Sequence, residues 1–238
     1  MKQLPLAIAP EPAADFDQLV LGENTHAVRH LRQLHPGAAP VYLWGPSGSG
    51  KTRLLRALAA NAQANGVQVA WFDADAGLPW DLPEGAGLVV LDGCEQLDTQ
   101  RQQAAFSLFV QAGSLGALWA AAGALPPVDL PLRDDLRSRL GWGHVFALRP
   151  LGDTDTRRAL RIEADRRGIV LSDEVMGYFL TRLPRNLKHL SAVLARLDGF
   201  SLAEHRHVTL PLLKKMLAAD AEVLPPTGPR PSHEPDPV

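Results

Sequence analysis

The sequence predicts an α/β fold: a parallel five-stranded sheet flanked by helices, followed by a small C-terminal helical lid. Three observations carry that expectation. Short apolar runs alternate with helical stretches up to residue 150, the mark of a parallel sheet with right-handed crossovers. One run, Val41-Tyr42-Leu43-Trp44, leads straight into Gly45-Pro46-Ser47-Gly48-Ser49-Gly50-Lys51-Thr52 and then into helix formers. Beyond Pro150 only helical periodicity remains.

In chain order, residues 1–14 are Pro-rich and aperiodic and read as a flexible leader. Gln3-Leu4-Pro5-Leu6 is an apolar cluster inside it, either a segment packed on the domain or a linear peptide for another protein's pocket. Residues 15–151 form the nucleotide-binding base. Phe16, Leu19, Val20 and Leu21 precede a helix from Asn24 or Thr25 to Leu34, with Asn24 as the expected N-cap. Upstream of a phosphate loop, such a hook covers an adenine ring. The loop's helix is expected to reach Asn65, with Gly66 as its stop. Strands are expected at 67–73, 88–91, 115–122 and 145–148. Leu88-Val89-Val90-Leu91 is apolar throughout, as a parallel strand buried on both faces must be. Helices are expected at 96–112 and 133–140. The lid, residues 152–222, is read as four helices, at 153–167, 172–183, 184–197 and 209–219, the first, second and fourth capped by Asp153, Ser172 and Thr209 and the third started by Pro184. Residues 223–238 read as a disordered Pro-rich tail.

The spacing G-x-x-x-x-G-K-T between strand and helix is a phosphate-binding signature. Gly45, Pro46, Ser47, Gly48, Ser49 and Gly50 present backbone N–H groups to an anion at a helix N-terminus. Lys51 is placed to reach the β- and γ-phosphates, and Thr52 to offer its hydroxyl to Mg²⁺. Asp92, at the end of the 88–91 run, is the expected second Mg²⁺ ligand. Gly93 follows it in place of a second acid, which leaves Glu95 either as a water-orienting acid or as a solvated helix-start residue. Arg139, near the end of the short 133–140 helix, reads on residues alone as a salt-bridge partner of Asp134 or Asp135. Arg185 and Lys188 open the third lid helix, where a cation leans over a nucleotide or faces solvent.

Bulk composition narrows the partners. A formal net charge of −2 is unlike a protein that wraps nucleic acid in a basic field. Cys94 is the single cysteine, so no internal disulfide forms, which fits a reducing cytoplasm. No run is long and apolar enough for a membrane, and no export signal is legible. There is no CxxC pair and no HExxH. His205-Arg206-His207 reads as a solvated loop, Trp44 and Trp71 as core, and Cys94 as a small buried residue.

Taken together these motifs resemble the DnaA family of AAA+ ATPases. The resemblance rests on Tyr42-Leu43-Trp44-Gly45, on Leu91-Asp92-Gly93-Cys94-Glu95, on Pro126-Pro127, on Asp135-Leu136-Arg137-Ser138-Arg139-Leu140-Gly141-Trp142-Gly143 and on the lid, and spans residues 15–219. It implies that Arg139 is an arginine finger acting in trans, which reverses the preference drawn from the residues alone. It implies ATP or ADP with Mg²⁺ as cofactors, and Lys188 at the lid position where the family has an arginine. It makes Gln3-Leu4-Pro5-Leu6 a shortened form of the family's sliding-clamp peptide. The DnaA initiator and the clamp are the implied partners, with self-association, and with DNA contacted only indirectly. Gly93, and Ala124 where the family has a polar sensor, imply weak hydrolysis by the chain itself. Because the sequence stops after the lid, a regulator of the initiator is expected rather than an initiator with its own DNA reader. A helicase or clamp-loader ATPase and a small-molecule P-loop kinase are the rival classes.

Overall fold

A computed structural model describes residues 15–184 and 186–223. Its base contains α1 (Thr25–Arg32), β1 (Val41–Trp44), α2 (Lys51–Ala64), β2 (Gln68–Phe72), β3 (Ala86–Leu91), α3 (Thr99–Leu115), β4 (Leu118–Gly123), α4 (Asp134–Leu140) and β5 (His144–Ala147). The five strands are parallel, in the order β2-β3-β4-β1-β5. The lid is α5 (Asp153–Arg166), α6 (Asp173–Arg182), α7 (Leu187–Glu204) and α8 (Leu210–Val223). The expected fold class is therefore the observed one.

The three inner strands, β1, β3 and β4, are apolar without interruption because both faces are covered. Tyr42, Val89, Leu91, Trp119 and Ala121 point into the core under α3 and α4. Val41, Leu43, Leu88, Val90 and Ala120 point into the core under α1 and α2. Trp44 and Trp71 are only partly buried and pack on opposite cores. Ala120, Ala121 and Ala122 are small because β4 is the middle strand, and all three are wholly buried. The lid has its own core around Phe179, Leu190, Leu194 and Leu213.

Several helix starts and caps differ from expectation. Asn24 precedes α1, but its side chain makes no cap. Instead its Nδ2 donates to the Arg149 carbonyl and its Oδ1 accepts from the Arg149 amide, each at 2.8 Å. α3 starts at Thr99 rather than 96, because Asp98 accepts from the Arg101 amide while Cys94–Gln96 forms a separate 3-10 turn. Asp153 lies inside α5, whose N-cap is Gly152. Pro184 does not start α7: Asn186 does, its side chain accepting from the Lys188 amide, and the helix runs on to Glu204. Ser172 and Thr209 cap α6 and α8 as expected.

Candidate nucleotide site and interaction edge

The strand register builds the site. Trp44 lies opposite Gly123, and Leu91 opposite Ala121. The C-terminal ends of β1, β3 and β4 therefore sit side by side, where open parallel sheets bind ligands. β1 delivers the phosphate loop, β3 delivers Asp92, and β4 delivers Ala124.

The loop is shaped by close approach. A Cβ on Gly45 would lie 2.4 Å from the Leu148 carbonyl oxygen, so only glycine lets β1 turn there. Gly48 has φ +81° and meets the lid: a Cβ would lie 2.5 Å from Asn186 Oδ1. Asn186 Nδ2 also donates to Ser47 Oγ at 3.3 Å. The cap of α7 is thus a contact between lid and loop. Sequence reasoning singled out the cations on either side of Asn186 and passed over it; the polar residue two places after Pro184 was the available signal. Gly48→Ala should add positive-φ strain of about 1–2 kcal/mol and push Asn186 away. The expected result is a lower melting temperature and faster hydrogen exchange at residues 186–190.

Lys51 Nζ donates to the carbonyls of Gly45 (2.7 Å) and Pro46 (3.1 Å). Burial holds its pKa down, against the opposing charges of Glu95 and Asp92. Ser49 Oγ is buried with no hydrogen-bond partner. An orphaned hydroxyl, a desolvated ammonium and a glycine cradle fit a phosphate group.

Asp92 accepts from the Thr52 hydroxyl, and burial is the main cause that raises its pKa, with the Thr52 and Gly93 hydrogen bonds and Lys51 working against it. A carboxylate with a raised folded-state pKa costs stability once ionised. The penalty grows as pH rises through the unfolded value toward the folded one, and vanishes in acid. Asp92→Asn should therefore raise the melting temperature of the ligand-free protein at pH 7 by a few degrees, and narrow the gap as pH falls toward 4. Glu95 sits close enough for both Lys51 and Asp92 to feel its charge, and its Oε2 accepts the Ala124 amide at 2.9 Å.

The hook meets the same cleft. Leu19, Val20 and Leu21 line it opposite Leu151 and Ala159, with Gly48–Gly50 at its floor. Lys188 is exposed on the first turn of α7. Gln3-Leu4-Pro5-Leu6 and Arg185 lie outside the described residues. Cys94 is fully buried. His205 takes φ +52° as the C-cap of α7, and among the described residues no His, Cys, Asp and Glu cluster suits a metal ion. Among the described residues no helix is long and apolar enough to cross a membrane.

The other informative region is the edge built by α4. Asp134 pairs with Arg137 and Asp135 with Arg133. Both carboxylates that the residues alone offered to Arg139 are thus taken by other arginines. Arg139 is exposed, its guanidinium 5.7 Å above the Trp142 ring and 5.9 Å from the Phe109 ring. Trp142 is itself 68% exposed, and Val128 nearby in sequence is 74% exposed.

Residues 153–217 match the family model of the Hda lid domain. The C-terminal helices thus carry an Hda-type lid. Solved structures agree on the fold. Domain III of the Thermotoga maritima replication initiation protein DnaA superposes with a TM-score of 0.74 at 19% identity, covering 89% of this chain and 98% of that one. AMPPCP-bound DnaA from Aquifex aeolicus gives 0.66 at 19% identity, over 89% and 71% of the two chains. The Thermotoga maritima RuvB Holliday junction branch migration motor gives 0.56 at 16% identity, over 76% and 61%. The Hda-type lid and the base thus meet at Asn186 and the 45–52 loop.

Proposed function

We propose that this Hda-like protein binds an adenine nucleotide and, held near DNA by the sliding clamp, stimulates hydrolysis of ATP bound to DnaA, leaving the initiator inactive. The observation that carries the reading is Arg139: exposed, resting on two aromatic rings, and without a carboxylate partner among the described residues. A guanidinium presented that way suits a triphosphate held by another protein.

In the chain's own site, the loop amides and Lys51 would hold phosphates, and Thr52 with Asp92 would hold Mg²⁺. When bound, Mg²⁺ neutralises phosphate charge. The AMPPCP held by Aquifex aeolicus DnaA supports an adenine nucleotide as ligand. The hook and the lid wall of the cleft would enclose the base, and Lys188 would approach from α7 as a point charge without arginine's planar fork. Weak hydrolysis in the chain's own site follows from Gly93 and Ala124, neither of which offers a side chain to position water. Gln3-Leu4-Pro5-Leu6 would contact the clamp, and further copies of the chain would assemble through the α4 edge.

The test mixes the protein with ATP-loaded DnaA, clamp and DNA and measures phosphate release, with Arg139→Ala beside wild type. The helicase, clamp-loader and kinase alternatives predict instead substantial turnover by the chain alone, with DNA or with a small acceptor. That result would falsify the regulator reading.

A further inference from the structure

Glu95 reaches further than its own site. Gly93 turns the chain at φ +71°, and the Cys94–Gln96 turn carries Glu95 across to the end of β4. There its Oε2 accepts the Ala124 amide at 2.9 Å. One residue on, the Leu125 carbonyl accepts the Tyr42 hydroxyl, also at 2.9 Å. Gly123 is boxed between the same two side chains: a Cβ would lie 2.2 Å from Tyr42 Oη and 3.1 Å from Glu95 Oε2. The segment 123–125 is therefore held from two sides, by β1 and by the turn after β3.

That segment leads directly to the interaction edge. The chain next forms a 3-10 turn at Pro127–Asp129, which packs on α4. Pro127 Cβ lies 3.5 Å from where a Cβ on Gly141 would sit, at the end of the helix that bears Arg139. Ala124 has no polar side chain, so its backbone amide is the donor this position offers, and a carboxylate is the group that grips it. The same carboxylate lies near enough for Lys51, the cation a phosphate would engage, to feel its charge.

We propose that Glu95 is a positioning residue: its hydrogen bond to the Ala124 amide fixes residues 124–127, and so links the occupant of the chain's own phosphate loop to the placement of α4 and Arg139. The proposal rests on the trans role of Arg139 given above.

The full-length chain tests this with two variants. Glu95→Gln keeps an oxygen that accepts from the Ala124 amide but has no carboxylate basicity; Glu95→Ala keeps neither. Hydrogen exchange of amides 124–127 is measured without nucleotide, with the amides of α5–α8 as internal reference for an intact fold. Stimulation of ATP-loaded DnaA is measured in parallel. Glu95→Ala should speed exchange at 124–127 about tenfold or more and cut stimulation about tenfold, while Glu95→Gln stays within about threefold of wild type. Unchanged exchange in Glu95→Ala overturns the tether. Loss of stimulation in Glu95→Gln as deep as in Glu95→Ala overturns it too, since the acid rather than the hydrogen bond would then matter. Arg139→Ala separates the two ideas: if it stimulates as well as wild type, the trans reading falls, and the exchange result alone decides the tether.

Discussion

Arg139→Ala should fold like the wild type, bind its own nucleotide unchanged, and lose about 10³-fold or more of the stimulation of DnaA-bound ATP hydrolysis. The two halves of that expectation have separate causes. Removing the side chain costs little stability because it is exposed and forms no ion pair among the described residues; its contacts with Trp142 and Phe109 are worth about 0.5–1 kcal/mol at such a site. In the proposed complex the partner's transition state would depend on that side chain strongly, because charge builds there on phosphate oxygens. Arg139→Lys should recover only part of the loss, since a point charge replaces a planar fork. Circular dichroism melts and phosphate release check the two halves independently. A variant that melts early and stimulates poorly would speak for a structural arginine instead.

The second large effect concerns Lys51. Lys51→Ala should melt within about 2 °C of wild type without ligand, yet show none of the stabilisation that nucleotide gives wild type. In the ligand-free loop the ammonium is bonded to the carbonyls of Gly45 and Pro46, but burial works against its charge. Its lowered pKa means that these contacts do not fully replace lost water, so removal is close to neutral. Wild type at 100 times its Kd for ADP should gain about 2.7 kcal/mol, or roughly 5–10 °C. Differential scanning fluorimetry with and without ADP and Mg²⁺ checks both numbers. A large destabilisation without ligand would mean that Lys51 holds the loop rather than the phosphates.

Most of the fold was legible because strands buried on both faces must be apolar throughout, and 88–91 could be little else. Helix ends were less legible. Asp153 and Pro184 both had the composition of a helix start, but the backbone begins each helix where hydrogen bonding permits, at Gly152 and at Asn186. The shape of the 45–52 loop was legible because positive φ at Gly45, Gly48 and Gly50 and the close approaches at Gly45 and Gly48 demand glycine. Two parts of the site were not. The Ala124 amide is a backbone donor, which every residue except proline carries, so no letter of the sequence marks it. Asn24 had the signature of a cap, yet its amide pairs with Arg149, 125 positions away, a partner that only the fold supplies.

That last pairing has a mechanical consequence. Asn24 grips Arg149 by two hydrogen bonds, Glu23 forms an ion pair with the same arginine at 3.2 Å, and Gly22 is pressed against Leu151, where a Cβ would come within 2.9 Å of Cδ2. The segment that walls one side of the cleft is therefore stitched to the residues that connect β5 to the lid. Any tilt of α5 through α8 would therefore pull on residues 22–24, so the shape of the cleft and the angle of the lid would change together.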